Sequence, residues 1–198
     1  LLGDRSAPLS GGQGIYLRDL SQALSALGHQ VTVVSGPPYP QLVDGVTLVK
    51  LPSLDLYARE SMVMPLSELR DPLERREWMS KLTGGFAEPW TFGERARDWL
   101  LAHSEEFDVV HDNQTLADGI LDIQRSGMPV VTTIHHPITR DRRVALSEEP
   151  RWWWRLFIRR WHRFLSMQAR VASQLDNIVT VSQLSATDIA TDFGVMPN

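Results

Sequence analysis

Residues Gly11 to Ser35, GGQGIYLRDLSQALSALGHQVTVVS, decide the fold class. Three glycines (Gly11, Gly12, Gly14) lead into a segment whose apolar residues Tyr16, Leu20, Ala23, Leu24 and Leu27 recur at spacings of three and four. That spacing marks one buried face of a helix. Gly28 suits the left-handed position just past a helix end, and His29 beside it suits the negative end of the helix dipole. The run Val31-Thr-Val-Val-Ser35 follows at once, β-branched and almost wholly apolar, as in a strand covered on both faces. A turn, a helix and a buried strand make half of a βαβ unit.

The glycine turn has a chemical reading as well as a conformational one. The first turn of a helix leaves backbone N–H groups unpartnered, and with the helix dipole they attract an anion or a polar oxygen. Residues without a Cβ let such a ligand approach. G-G-x-G is neither the dinucleotide fingerprint nor a P-loop, since no G-K-[ST] follows, and a tight turn without a ligand is the alternative reading.

Outward from this stretch, Leu1-Leu2-Gly3 reads as the tail of a first strand. Gly36-Pro37-Pro38-Tyr39-Pro40 is a loop, because proline removes backbone donors. Val46 to Leu51 reads as a short strand and Pro65 to Leu82 as a charged helix stopped by Gly84-Gly85. Thr91-Phe-Gly-Glu94 has the T-x-x-E pattern of a capping box, which predicts a helix from Thr91 to about His103. Strands are expected at Phe107 to His111, Pro129 to Ile134 and Asn177 to Val181. Helices are expected at Leu116 to Arg125 and Ser185 to Phe193, closed by Gly127 and Gly194, with a loop over Ile138 to Pro150 and one long helix over Trp152 to Gln174. Apolar strands alternating with helices predict an α/β fold, a doubly wound parallel sheet of Rossmann-like type.

Composition bounds the function. The 198 residues are 42% hydrophobic and 22% charged, within the range of an ordinary globular domain. A net charge of −4 and no basic tail give no reason to expect nucleic acid. The absence of cysteine excludes disulfides and thiolate metal sites and fits a cytoplasmic protein. No apolar run reaches the roughly 18 residues of a membrane span.

In an open parallel sheet, ligands bind beyond the carboxyl ends of the strands, near the switch in strand order. This reading places the glycine turn, Asp112-Asn113, His135-His136 and Ser182 on that edge. The candidate site residues on or beside this edge are therefore Gly11, Gly12, Gln13, Asp112, Asn113, His135, His136, Arg140 and Ser182; no metal ligand is proposed.

The pattern from Gly11-Gly12 through Tyr16, Leu20, Leu24 and Gly28-His29 to Val31-x-Val33 closely resembles the first βα unit and second strand of family 4 glycosyltransferases, enzymes of the GT-B fold. Asp108-Val-Val-His111 looks like that family's histidine-bearing strand, and Pro129 to His135 looks like its T-x-H strand end, whose histidine lies near the reacting sugar. The resemblance thus implies His135 as the catalytic group, with Gly11, Gly12, Gln13, Asp112, Asn113, His136, Arg140 and Ser182 binding donor or acceptor. Asp176 to Ser182 looks like the strand that closes the N-terminal half. At Asn113 the chain departs from relatives, which often carry a second histidine. The resemblance implies that residues 1–198 form the N-terminal, acceptor-side Rossmann-like domain of a two-domain enzyme, whose C-terminal half holds the nucleotide-sugar. It further implies a metal-independent transferase without a cofactor, whose partners are a nucleotide-sugar donor and a glycan, lipid or small-molecule acceptor. A sugar-nucleotide epimerase of the same double-domain plan and a non-catalytic domain binding an anionic metabolite are the alternatives.

A second feature lies in the expected long helix. Trp154, Phe157, Ile158, Trp161 and Leu165 form an apolar stripe, whereas Arg151, Arg155, Arg159 and Arg163 recur every four residues on another face. Like charges at that spacing repel by a few tenths of a kcal/mol. Either the tryptophans pack in the core with Glu148 and Glu149 near the arginines, or the helix meets an anionic membrane surface. Arg140, Arg142 and Arg143 extend the basic region.

Overall fold

A computed structural model describes the chain except residues 9–11, 57, 60–62, 66, 68 and 196–198, so the glycine-turn residue Gly11 lies outside the described residues. Six parallel strands form one sheet in the order β3-β2-β1-β4-β5-β6. They are β1 (Leu2–Gly3), β2 (Thr32–Ser35), β3 (Thr47–Lys50), β4 (Val110–Asn113), β5 (Val130–Ile134) and β6 (Ile178–Thr180). The helices are α1 (Gly12–Ala26), α2 (Pro72–Leu82), α3 (Glu88–Ala102), α4 (Asp118–Arg125), α5 (Thr139–Glu148), α6 (Trp152–Trp161), α7 (Phe164–Ala172) and α8 (Gln183–Phe193). The doubly wound α/β sheet expected from the sequence is the observed fold.

Alternation along β2 shows how both faces are covered. Val33 packs with Leu17 and Leu24 of α1, whereas Val34 packs with Phe92, Ala96 and Leu100 of α3 and Ile120 and Ile123 of α4. Successive strand side chains point to opposite faces, so α1 lies on one side of the sheet and the α3–α4 pair on the other. A further cluster of Ile134, Val171, Ile189 and Phe193 packs α7 and α8 at the β5–β6 end. The C′ glycines Gly28, Gly127 and Gly194 all have positive φ, as the helix stops predicted.

Several local expectations are corrected. The helix expected from Pro65 starts at Pro72, because Asp71 caps it: its carboxylate accepts from Leu73 N at 2.8 Å while Glu74 accepts from Asp71 N at 3.2 Å. This is the true capping box. Thr91, expected to be the cap of the next helix, lies inside α3, where its hydroxyl donates to Glu77 at 2.7 Å. Glu77 is 2% exposed and also accepts from Leu54 N and from Arg95, so a buried ion pair ties α2, α3 and the segment after β3 together.

Strand β4 runs on to Asn113 instead of ending at His111, because its pairing with β5 continues as far as Asn113 opposite Thr133. Residues 139–148, expected as loop, form α5, and the single long helix is two. The break at His162–Arg163 lets Phe164 and Leu165 turn inward, while no residue of α6 is buried. Of the tryptophans expected in the core, Trp154 is 43% exposed, whereas Trp161 is half-buried against Phe86 and Phe164; Trp152 is 73% exposed. Among the described residues no helix is long and apolar enough to cross a membrane.

Candidate functional site

The order of the sheet creates the site. From β1 the chain crosses by α1 to β2 on one side, and from β4 it crosses by α4 to β5 on the other, so the connections diverge between β1 and β4. A crevice opens there beyond the carboxyl ends of the strands. α1 begins at Gly12 directly above it.

Three elements converge at this edge. Asn113, at the end of β4, donates its amide to the Gln13 carbonyl of α1 at 3.2 Å, and its Oδ1 lies 2.7 Å from Nε2 of His135 after β5. The Gln13 carbonyl can only accept, which orients the amide and requires Nε2 of His135 to carry its proton. Nδ1 is then the ring's lone-pair nitrogen. Tyr16, one turn into α1, meets the His135 ring edge-on at 4.6 Å and brings its hydroxyl within 3.2 Å of Thr133 Oγ1. His111 Nε2 reaches the same Thr133 hydroxyl at 2.8 Å.

Electrostatics keeps the histidines neutral. Burial, and then the neighbouring His136, holds the His135 pKa below its ordinary value. Burial likewise brings His111 down to about 4. At neutral pH both rings act as hydrogen-bonding groups without charge.

The turn from β4 into α4 is strained on purpose. Gln114 and Leu116 adopt positive φ of 59° and 52°, which costs roughly 1–3 kcal/mol each for residues with a Cβ. The Asp112 carboxylate holds this turn by accepting from Thr115 N at 3.2 Å and Leu116 N at 3.1 Å, and Gln168 of α7 donates to the Thr115 carbonyl at 3.2 Å. In return, Gln114 is aimed at the segment after β5. Its Oε1 accepts from His135 N at 2.6 Å and its amide donates to the His136 carbonyl at 2.8 Å. Burial pushes the Asp112 carboxyl up to about 6.

Among the residues singled out from sequence, Gly12, Gln13, Asn113 and His135 are gathered in the crevice. Asp112 lies beneath it, wholly buried and turned into the 114–116 turn. His136 is exposed beside His135, and Arg140 is exposed on α5. Ser182 stands one strand further out, where its hydroxyl caps α8 by accepting from Ser185 N at 3.1 Å. Sequence reasoning missed Tyr16, His111, Thr133 and Gln114 as members of the site. The stripe of Tyr16, Leu20, Ala23, Leu24 and Leu27 is not the buried face expected: the buried residues of α1 are Gly14, Leu17 and Ser21, Leu27 is 76% exposed, and Tyr16 at the stripe's start faces the crevice.

The glycines divide by role. A Cβ on Gly14 would lie 2.2 Å from the Ala7 carbonyl oxygen, so α1 docks on the segment after β1 only because residue 14 has no side chain. A Cβ on Gly12 would meet nothing within 4 Å. Among the described residues no contact requires glycine at position 12, and the first turn above the crevice is suited to an incoming phosphate oxygen.

Comparison with known proteins places this arrangement. The profile of Glycosyltransferase Family 4 matches residues 10–198. A relative from Mycolicibacterium hassiacum, named MMP α-(1→4)-mannosyltransferase, is 48% identical over 200 residues. The alignment covers 100% of this chain and 48% of the relative, so the chain spans about half the length of the curated protein it matches.

Proposed function

Because the chain belongs to glycosyltransferase family 4, we propose that it forms the acceptor-side domain of an enzyme that moves a mannosyl unit from a nucleotide-sugar donor to a saccharide acceptor. The observation that carries this reading is the 48% identity along the whole chain with a protein whose name specifies α-(1→4)-mannosyl transfer. Membership of a sugar-transferring family favours transfer over epimerisation or simple metabolite binding. In this proposal residues 1–198 are one Rossmann-like domain, and a second domain contributes the groups that hold the nucleotide. The reaction is metal-independent and uses no cofactor beyond its donor substrate.

The crevice supplies three things to such a reaction. The first turn of α1, at Gly12 and Gln13, offers backbone N–H groups to the donor's leaving phosphate, and these stabilise the charge that develops as the glycosidic bond breaks. His135 is held in one orientation by Asn113 and Tyr16, with its Nδ1 lone pair able to accept from a sugar hydroxyl. Its lowered pKa suits orientation of the sugar better than removal of a proton. Asp112 acts from below by bracing the 114–116 turn, while His136, Arg140 and Ser182 border the path of the acceptor. Cytoplasmic location with peripheral contact of α6 to an anionic membrane belongs to the same proposal, supported by the exposed Trp152, Trp153 and Leu156 beside Arg155 and Arg159.

The test is transfer by the full-length enzyme from nucleoside-diphosphate mannose and nucleoside-diphosphate glucose to an α-(1→4)-linked mannooligosaccharide, with products read by mass spectrometry. Mannosyl extension of the acceptor is expected. Consumption of the donor by epimerisation without any acceptor, or preference for glucose, would overturn the reading.

A further inference from the structure

Away from the crevice, α2, the first turn of α3 and the α6–α7 junction enclose a groove of about 590 Å³. None of Gly12, Asn113 or His135 lines it. Four guanidinium groups do: Arg76, Arg160, Arg163 and Arg170, against the single carboxylate of Asp118. Asp118 is taken up by Arg170, which donates to it at 2.7 and 3.1 Å.

The other three arginines face the groove without a carboxylate. Arg76 lies over the Trp90 ring at 3.8 Å, Arg160 donates to Thr83 Oγ1 at 2.9 Å, and Arg163 is exposed with no ion pair among the described residues. A chain whose formal charge is −4 thus concentrates three uncompensated positive charges in one concavity. A cleft lined by one sign of charge focuses the field and gathers counter-ions.

The shape and lining narrow the ligand class. Guanidinium forks match the oxygens of a tetrahedral anion, two bonds at a time. A phosphate monoester brings about −1.5 to −2 charges at pH 7, which suits three guanidiniums better than a carboxylate does. The volume falls within the roughly 300–1,000 Å³ of small-molecule sites, more than a bare phosphate fills. Trp90, Met79 and Met167 line the remainder and suit a non-ionic body. We propose that this groove is a second binding site, which takes an organic phosphate by its phosphate group.

The groove adjoins the crevice through the strained turn. Asp118 opens α4 four residues after Gln114, the residue that holds the His135 backbone, so the two sites lie within about 14 Å along the chain. The proposal does not depend on which sugar is transferred. The phosphate could belong to a soluble ester or to a membrane lipid, and the two sources are separable by experiment.

Inorganic pyrophosphate and vesicles are the probes, applied to the whole chain. Arg76→Gln combined with Arg163→Gln removes two guanidiniums that make no ion pair or hydrogen bond among the described residues. Calorimetry should show pyrophosphate binding weakened at least tenfold in this double variant but retained in Gly12→Val, which separates the groove from the crevice. Asp118→Asn removes the groove's one negative charge and should tighten binding several-fold, a gain that misfolding cannot produce. Sedimentation with phosphatidylglycerol vesicles but not with phosphatidylcholine vesicles, lost in the double variant, identifies a lipid source. Pyrophosphate binding with no sedimentation identifies a soluble ester. Equal pyrophosphate affinity in the wild type and the double variant, or no binding of either probe, would overturn the proposal.

Discussion

Gly12 and Gly14 stand two residues apart at the start of α1, and substitution should separate their roles. The added Cβ of Gly14→Ala would sit 2.2 Å from the Ala7 carbonyl oxygen and 2.8 Å from the Ser6 carbonyl carbon, both backbone atoms. The segment cannot simply yield, since Ser6 N donates to Pro38 O at 3.0 Å and the Ser6 hydroxyl pairs with Ser35 at 3.1 Å. Overpacking of this kind costs about 3 kcal/mol at the upper end of its range, and alanine returns up to ~1 kcal/mol of helix propensity. A net loss of about 2 kcal/mol in a chain of this length lowers the unfolding midpoint by roughly 4–8 °C. Gly12→Val adds a branched side chain where nothing in the fold is touched, so its midpoint should stay within about 0.5 kcal/mol of wild type. Its side chain would instead occupy the approach of the donor phosphate, and transfer by the full-length enzyme should fall by tenfold or more. Circular dichroism melts on both variants and steady-state kinetics on Gly12→Val check the pair. A Gly14→Ala protein that melts like wild type would refute the docking argument, and wild-type kinetics in Gly12→Val would remove the first turn of α1 from the site.

Two further outcomes are expected. His135→Ala should lower kcat of the full-length enzyme about a hundredfold while shifting the midpoint by only a few degrees, and Asn113→Ala should reproduce part of that loss by freeing the ring; stability loss with unchanged turnover would mark His135 as structural. The second concerns pH. The Asp4 carboxyl at the end of β1 is raised from 3.8 to about 7, first by burial and then by Asp112 and Glu88, and Asp112 is raised to about 6. A carboxyl whose folded pKa is raised binds its proton more tightly in the native state, so its contribution to stability is full below 3.8 and is lost as pH rises to about 7. His111, lowered from 6.5 to about 4, works in the opposite sense over an overlapping window. Asp4→Asn should therefore remove part of the decline in the unfolding midpoint between pH 4 and 7, and parallel wild-type and variant pH profiles would contradict the shift.

Local chemistry made much of this molecule legible. The strands at Val31 and Pro129 are runs of β-branched residues, and the helix stops at Gly28, Gly127 and Gly194 need a positive φ, so their signals lie within a few residues of sequence. The edge that carries His135 followed from the run at Pro129, because a parallel sheet puts all its carboxyl ends on one edge, although β4 reaches Asn113 rather than ending at His111. The capping residue of α2 was equally visible in Asp71-Pro-Leu-Glu74, although the expected start was set at Pro65.

What the tertiary structure decided were the pairings between distant residues. Tyr16 meets Thr133 across 117 residues and Asn113 meets Gln13 across 100, contacts set by sheet order and by the angle at which α1 docks on Gly14. A helical period identifies a face, and it does not say whether one residue at its margin looks into a core or into a crevice. Thr91 satisfied a capping pattern yet ended inside a helix, where the buried Glu77 needed its hydroxyl. Trp154 and Phe157 of α6 fit a core stripe by spacing and are 43% and 48% exposed instead, because the chain turns at His162 and buries Phe164 and Leu165. Burial is a property of what lies opposite, and for these residues what lies opposite was supplied only when the chain had folded.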